Sequence, residues 1–265
     1  MSKKKKILLT VLVILLVLVL AVKLSWSKIL EASSASYIKG LEGNSDKYSL
    51  ENVTVKDSVL NGKTIIFLGS SVTEGATSYG LSFVDCFASF DGVNAIKEAV
   101  SGTTLVTQDE QSYIPRMEKI DKEIKADAFV CQLSTNDASN NMPMGTVSTS
   151  MNANDFDTST IAGAIEYIIS YATNTWNCPV VFYTGTKYNN ERYGEMVDLL
   201  LEIQEKWNCG VIDQWNNESL NDISDEQRTL YMVRDGVHPT RAGYIEWWFP
   251  NMEQYMESFF IDINE

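Results

Sequence analysis

The sequence has few residues of the kinds that bind metals or nucleic acids. Its 265 residues include one histidine, His238, and four cysteines, and no two cysteines have the Cys-x-x-Cys spacing. Two-histidine and paired-cysteine zinc sites are therefore excluded, and we expect neither a metal nor a cofactor. The 21 basic residues face 35 acidic ones, a formal net charge of −14. This charge argues against a nucleic-acid partner, which would require a basic face to neutralise phosphates.

A long apolar run lies near the N-terminus. Residues 3–6 are four lysines, and residues 7–22 carry no charge and show no helical or strand period. With Leu24 and Trp26 the run is long enough to span a membrane. We interpret residues 7–26 as an uncleaved transmembrane signal anchor, with the basic tail 1–6 in the cytoplasm and the remainder outside. The alternative is a cleaved signal peptide and a secreted protein.

The rest of the chain divides into a stalk and a domain. Residues 27–58 are rich in serine, lysine and glutamate and predict a stalk or linker, whereas apolar runs alternate with helical patterns across residues 59–265. The predicted strands are 63–68, 93–100, 128–133, 179–183 and 210–213. The predicted helices are 82–90, 113–125, 160–173, 191–207 and 240–261, the last kinked or broken by Pro250. This alternation predicts an α/β domain with a five-stranded parallel sheet covered on both faces.

Two cysteines occupy equivalent places before the last two strands. Cys178 and Cys209 each follow a Trp-Asn pair. Outside the membrane they could form a disulfide, and two buried free thiols fit the sequence equally well.

Polar residues that could perform chemistry follow the predicted strands, where functional residues of parallel sheets gather. Ser71 follows the first strand, Gly102 the second and Asn136 the third, while Asp235 and His238 precede the last helix. Taken singly, each is more often an ordinary turn or cap residue. Together they supply a nucleophile, a base, a carboxylate to orient that base, and oxyanion donors. Acyl transfer to serine requires this set of groups.

The four blocks that hold these residues resemble the SGNH family of GDSL-like hydrolases. The blocks are GSSVTEG, the glycine of AVSGTT, STND and DGVHPT, in family order, and the resemblance covers about residues 59–260. It implies a flavodoxin-like three-layer α/β/α fold, with Ser71 as nucleophile, His238 as general base and Asp235 as its orienting residue. It also implies an oxyanion hole formed by the N–H groups of Ser71 and Gly102 and by the Asn136 side chain.

The sequence departs from the family pattern at two positions. Ser70 stands where the family name has aspartate, and Ser134 replaces the usual glycine of the third block. Neither position carries a chemical role, although Ser134 could shift the loop that aims Asn136.

Substrate choice is expected in the loops above the sheet. The longest loop, residues 138–157, is rich in asparagine, serine and threonine and contains Met142 and Met144, while the loop after the fourth strand contributes Tyr188 and Asn189. Polar loops with scattered aromatic residues suit a sugar, and ordinary solvated loops have the same composition.

We therefore expect a membrane-anchored, extracytoplasmic serine esterase that cleaves short-chain esters, above all acetyl esters, on carbohydrate. Its partner would be a small-molecule or polysaccharide ester. A lysophospholipase or thioesterase is the runner-up among hydrolases, because the anchor keeps lipid close. An acyltransferase would use the same residues and fits the sequence as well. A non-catalytic polysaccharide-binding domain is a further hypothesis, against which the presence of Ser71, Asp235 and His238 argues. No pattern in the sequence predicts an oligomeric state.

Overall fold

The structure, a computed structural model, describes residues 34–263. The chain divides into two units, residues 1–41 and 42–265. In the first unit, residues 34–39 are helical. The predicted basic tail and anchor, residues 1–6 and 7–26, lie outside the described residues. From 34 to 263, no helix combines the length and the apolar character needed to cross a membrane.

The second unit is built on a five-stranded parallel sheet. Its strands are β1 (Thr64–Gly69), β2 (Asn94–Ala99), β3 (Ala128–Gln132), β4 (Val180–Tyr183) and β5 (Gly210–Ile212). The spatial order is β2-β1-β3-β4-β5, and every neighbouring pair is parallel. This order is that of flavodoxin-like folds, in which the chain reverses its winding between β1 and β3 and a ligand cleft opens at the carboxyl ends of those strands.

Helices connect the strands. They are α1 (Ser71–Glu74), α2 (Phe83–Asp91), α3 (Tyr113–Met117), α4 (Thr135–Ser139), α5 (Ile161–Trp176), α6 (Glu191–Trp207), α7 (Glu218–Asn221), α8 (Asp225–Tyr231) and α9 (Phe249–Asp262). A π-helical segment, Gly243–Trp248, leads into α9. The long helices begin at polar caps, since Thr160 accepts the Gly163 N–H and Asn190 accepts the Tyr193 N–H.

The hydrophobic core lies on both faces of the sheet. Because side chains alternate along a strand, Ile66 and Leu68 pack with residues of α5 and α6 on one face, while Ile65 and Phe67 pack with α2 and α9 on the other. The strands are buried on both faces and therefore consist of nearly continuous apolar residues. The predicted α/β class with a five-stranded parallel sheet is confirmed.

Residues 42–58, predicted as part of the stalk, instead belong to the second unit. Tyr48 is buried, and the Asn44 side chain donates to Thr77 O at 2.8 Å and accepts from Arg241 N at 2.9 Å. Gly43 packs so closely against Thr240 that a side chain there would overlap it. The segment forms short 3₁₀ turns held by polar contacts. Its sequence therefore lacks the hydrophobic period by which strands and helices are recognised.

The predicted helix 113–125 is shorter than expected. The α-helix ends at Met117, and the Lys119 and Ile120 N–H groups bond three residues back, to Arg116 and Met117. The Asp121 side chain then accepts a backbone N–H two residues on. Aspartate competes with the helix in this way because its carboxylate can reach nearby backbone donors.

The predicted break at Pro250 does not occur. The π-helical segment ends at Trp248 and α9 begins at Phe249, which places Pro250 in the first turn of α9. The π-helical segment runs directly into α9, and the Phe249 N–H bonds five residues back to Tyr244 O, so the bonding pattern changes just before Pro250 and the helix continues.

The cysteines at 178 and 209 are free and buried. Burial raises the pKa of Cys178 to about 12 and that of Cys209 to about 11. Both thiols therefore stay protonated at neutral pH and pack as small apolar groups.

Candidate active site

The turn after β1 holds Ser71 at the carboxyl edge of the sheet. A side chain at Gly69 would overlap Thr73, so the chain turns tightly into α1 because position 69 is glycine. Beneath the turn, the buried Gln132 Oε1 accepts the Ser70 N–H at 2.9 Å and the Thr73 hydroxyl at 2.8 Å. The turn is thereby fixed to β3, and Ser71 itself is 8% exposed.

Ser71, His238 and Asp235 form a hydrogen-bonded line. Ser71 Oγ lies 2.7 Å from His238 Nε2, and His238 Nδ1 lies 2.7 Å from Asp235 Oδ2. The other carboxylate oxygen accepts the N–H groups of Val237 at 2.8 Å and His238 at 3.0 Å. Residues 235–238 form one tight turn, in which Gly236 has φ +69°. This turn brings the side chains of Asp235 and His238 face to face.

The environment of Asp235 keeps its carboxylate charged. Partial burial raises the pKa of Asp235, but the hydrogen bond and charge of His238, together with the backbone N–H groups, outweigh burial and hold the pKa below its usual value. A charged carboxylate at Nδ1 favours the tautomer that carries its proton on Nδ1. In that tautomer Nε2 is free to accept the Ser71 proton.

Gly102 follows β2 and Asn136 follows β3, and the Asn136 side chain bonds the residue after Gly102. Gly102 has φ +80° with no atom near the position of a Cβ, so its backbone conformation, rather than lack of space, favours glycine. Asn136 Nδ2 donates to Thr103 O at 2.8 Å, which leaves its second N–H for another acceptor. The Glu74 carboxylate accepts the N–H of Ser101 at 2.8 Å and also its hydroxyl. These hydrogen bonds join α1 and α4 to the loop after β2 that contains Gly102.

A buried arginine, which the sequence did not single out, connects this loop to the turn that holds Ser71. Arg116 is 5% exposed and its Nη2 donates to Gly69 O at 2.8 Å and to Thr103 Oγ1 at 3.1 Å. Its Nη1 pairs with Glu98 at 2.9 Å, and its Nε donates to Gln111 O at 2.8 Å. The planar guanidinium therefore fixes the distance between the turn that holds Ser71 and the loop that holds Gly102. An arginine within a predicted helix gave no sequence signal for this role.

Asp137 supports the same loop from α4. Its carboxylate is buried and accepts the N–H groups of Leu105 at 2.8 Å and Val106 at 3.0 Å. Burial raises the pKa of Asp137, and the hydrogen bonds from Ser134, Val106 and Leu105 counter part of this increase. Asp137 belongs to the STND block, so the sequence indicated its position but not its contacts.

Comparison with known proteins identifies the family. The family model of GDSL-like lipases and acylhydrolases matches residues 67–244. The chain belongs to this family. It is a serine hydrolase that acts on ester bonds.

Solved structures with similar folds are distant in sequence. A protein from Lactobacillus plantarum is 17% identical with a TM-score of 0.63, and the match covers 75% of this chain and 98% of that one. A member of the lipolytic G-D-S-L family from Veillonella parvula is 19% identical with a TM-score of 0.54, covering 73% and 97%. An acetyl xylan esterase is 16% identical with a TM-score of 0.51, covering 71% and 97%. Identities this low establish the fold alone, and no curated protein matches the chain.

The two departures from the GDSL-like pattern have structural roles. Ser70 is buried and donates its N–H to Gln132, so it forms part of the support below Ser71. Ser134 caps α4, where its hydroxyl accepts the Asp137 N–H at 3.3 Å. That cap lies two residues before Asn136 and stabilises the start of the helix that presents its amide.

The predicted substrate-loop residues take different positions. Met142 is buried, and both Met142 and Met144 pack against the hydrophobic core on the α5 and α6 face, so their side chains serve packing. Asn189 is exposed. Tyr188 packs against Tyr193 and Trp215, with ring centroids 5.3 and 5.5 Å away. Of these four, Tyr188 also lines a cavity together with Val237, the residue before His238.

One group of carboxylates in residues 34–263 has a spacing that could hold a metal ion. Asp91, Glu253 and Glu257 lie within 4.8 Å of one another, and Lys56 forms ion pairs with the first two. Asp91 ends α2 just before β2 begins, which places the group at the amino edge of the sheet. Ser71 and His238 lie at the carboxyl edge, so the group takes no part in the candidate active site.

Proposed function

We propose that this GDSL-like hydrolase is an esterase that removes short acyl groups, preferentially acetyl, from carbohydrate. In this proposal Ser71 is the nucleophile, His238 the general base and Asp235 the residue that orients it. The observation that supports it best is the line from Asp235 through His238 to Ser71, with both hydrogen bonds at 2.7 Å. Nucleophile and base are within direct proton-transfer distance.

In this mechanism each group has a defined role. His238 Nε2 takes the Ser71 proton while Oγ attacks the ester carbonyl carbon, and the carbonyl oxygen becomes an oxyanion. The Ser71 and Gly102 N–H groups and the free N–H of Asn136 stabilise this oxyanion, each by about 2.7–4 kcal/mol in the transition state. His238 then protonates the leaving alcohol, and the acyl group stays on Ser71. Water, deprotonated by His238, releases the acid and restores the enzyme.

Two observations favour a carbohydrate ester over a lipid. A long acyl chain needs an extended apolar groove, but the exposed large apolar residues of the described chain are scattered: Val55, Val59, Tyr79, Met151, Ile261 and Ile263. The loop 138–157 is instead polar, and its asparagine, serine and threonine residues are exposed or half-buried. A structural neighbour of the same fold is an acetyl xylan esterase.

The proposal extends to the location of the enzyme. Residues 7–26 would anchor the chain in the membrane, with the tail 1–6 in the cytoplasm and the esterase on the outer side, because four lysines precede the apolar run. Membrane fractions of cells that express the full chain should retain the protein through an alkaline carbonate wash. A chain that lacks residues 1–26 should be released, and external protease should digest the domain of the full-length protein on intact cells. A processed, soluble product would instead support the cleaved signal peptide.

A substrate panel tests the activity. Acetylated xylan, p-nitrophenyl esters from acetate to decanoate, and lysophosphatidylcholine should be compared for the wild type and Ser71→Ala. We expect the highest kcat/KM on the acetyl esters, and labelling of the wild type but not the variant by a fluorophosphonate. A preference for the lysophospholipid would overturn the carbohydrate assignment, and full activity of Ser71→Ala would overturn the mechanism.

A further inference from the structure

A small cavity lies beside the proposed nucleophile. Three of its lining residues directly adjoin site residues in the chain: Val72 follows Ser71, Thr135 precedes Asn136 and Val237 precedes His238. Its lining surface is mostly apolar. The cavity is therefore lined by the same segments that carry the proposed reacting groups.

The opposite wall comes from the end of β4 and from the segment before α9. Gly185, Tyr188 and Trp248 line it, and Trp248 is 1% exposed. The cavity has a volume of about 10 Å³. That space holds about one water molecule. A methyl group is of similar size, whereas each further methylene of an acyl chain would have to displace the wall.

Ester attack leaves one substituent that neither the oxyanion donors nor His238 would contact. The tetrahedral carbon is bonded to Ser71 Oγ, the oxyanion, the leaving oxygen and the acyl chain. The oxyanion is placed on the β2 and β3 side by Gly102 and Asn136, and the leaving oxygen must face His238 to receive its proton. The remaining substituent is the acyl chain, for which the apolar cavity beside these segments offers a space.

We propose that this cavity is the acyl-binding subsite and that its wall restricts the acyl group to acetyl. The assignment rests on the proposed role of Ser71 as nucleophile. It names Gly185 and Tyr188 as residues that determine acyl-chain length, because each forms part of the wall without taking part in the reaction.

Gly185 sets the depth of the cavity on one side. Its φ is not in the left-handed region, and a Cβ there would lie 3.7 Å from Tyr193 Oη and 4.0 Å from Trp248 Cη2. These are ordinary van der Waals distances, so Gly185→Ala introduces no backbone strain and places a methyl group near the wall. Tyr193 is a poor choice for substitution, since its hydroxyl bonds both Gly185 N and Leu133 O.

Tyr188 sets the width on the other side. Its ring packs edge-on against Trp215, and its hydroxyl has no hydrogen-bond partner among the described residues. Tyr188→Ala therefore opens the wall without breaking a hydrogen bond. Tyr171→Ala is the matched control: Tyr171 is also half-buried, also packs edge-on against a tryptophan, Trp176, and its hydroxyl also has no partner there.

The test compares kcat/KM on p-nitrophenyl acetate, propionate, butyrate and hexanoate. The wild type should prefer acetate to butyrate by at least about tenfold, since one misplaced methylene costs about 10–200-fold. Tyr188→Ala should reduce or invert this ratio by about tenfold or more, and Gly185→Ala should lower the rate on acetate and lower the rates on longer esters further. Tyr171→Ala should leave the ratio as in the wild type.

The outcomes separate the subsite from the proposed function. If the wild type hydrolyses none of these esters and Ser71 resists fluorophosphonate, the proposed function fails. If acetate is hydrolysed but the wild type accepts hexanoate equally, or both wall variants keep the wild-type ratio, the acyl subsite is wrong and the function stands. Should Tyr188→Ala not fold by circular dichroism, Gly185→Ala and the milder Tyr188→Val decide the question.

Discussion

The two sides of Ser71 are built in different ways. On the base side, Asp235 and His238 belong to one four-residue turn, and their side chains are 47% and 21% exposed. On the other side, Gly102 and Asn136, the proposed oxyanion donors, come from segments that are far apart in the sequence. They are held by Arg116 and Asp137, which are 5% and 0% exposed.

This difference predicts that substitutions on the two sides of Ser71 have different effects on activity and on stability. Removing a group from the exposed turn leaves few buried atoms without partners, so its effect on activity should exceed its effect on folding. On the other side, a lost side chain leaves several buried polar atoms unsatisfied, at about 1–3 kcal/mol each. Substitutions there should change kcat and stability together. Four predictions test this contrast, from the largest effect on activity to the smallest.

The largest effect should come from Ser71 and His238, the proposed nucleophile and general base. Ser71→Ala and His238→Ala should each lower kcat by about 10⁴–10⁶-fold, and the double variant should be little worse than either, because the two residues act as one unit. Thermal unfolding should change little, since neither side chain supports the core. Multiplicative losses in the double variant would show that the 2.7 Å hydrogen bond between them does not serve proton transfer.

Asp235→Asn should cost about 10²–10⁴-fold in kcat, because the amide can neither fix the tautomer nor stabilise a charged imidazole. Loss of that charge should also move the acid limb of the pH–rate profile to lower pH. The lowered pKa of Asp235 means that its carboxylate stabilises the fold above about pH 4, and this contribution is lost as the pH falls through the folded-state pKa. The stability difference between wild type and variant should therefore shrink in acid. A constant difference would contradict the assignment.

Asn136→Ala should lower kcat by about 10²–10³-fold with little change in KM, as expected for a donor that acts mainly in the transition state. It should also lower the unfolding free energy by about 1 kcal/mol, because Thr103 O loses its closer donor and keeps only the Ser134 hydroxyl at 3.5 Å. Asn140→Ala, four residues along in the same segment and exposed, serves as the control. A rise in KM at constant kcat would assign Asn136 to substrate binding instead.

Arg116→Lys should have the smallest effect on kcat, about tenfold, and the clearest effect on stability, about 1–3 kcal/mol. Lysine keeps the charge but cannot bond Gly69 O, Thr103 Oγ1 and Glu98 in one plane. Arg192→Lys is the control, because that arginine donates to Met142 O away from the turn. Equal kcat in Arg116→Lys and wild type, with stability lowered, would limit Arg116 to a structural role.

Much of the sheet could be predicted from the sequence, and so could three residues that meet at its carboxyl edge, Ser71, Asp235 and His238. The strands β1 to β5 differ from the predicted ranges by one residue or less at each end, because strands buried on both faces leave an apolar run between turn residues. The stalk boundary and the end of α3 were wrong, since residues 42–58 and 118–123 are shaped by side-chain hydrogen bonds that have no period. Hydrophobic patterning does not detect such segments.

By itself the sequence determined the family, the class of the fold and the turn that joins Asp235 to His238, because each is encoded in contiguous residues. The tertiary structure decided which buried groups hold the oxyanion side. Arg116 lies 47 residues from Gly69, yet they are joined by a 2.8 Å hydrogen bond. It also decided the shape of the cavity between Val72, Gly185 and Tyr188. Contacts between segments so far apart depend on how the strands are ordered in the sheet, and no local pattern in the chain specifies their distances.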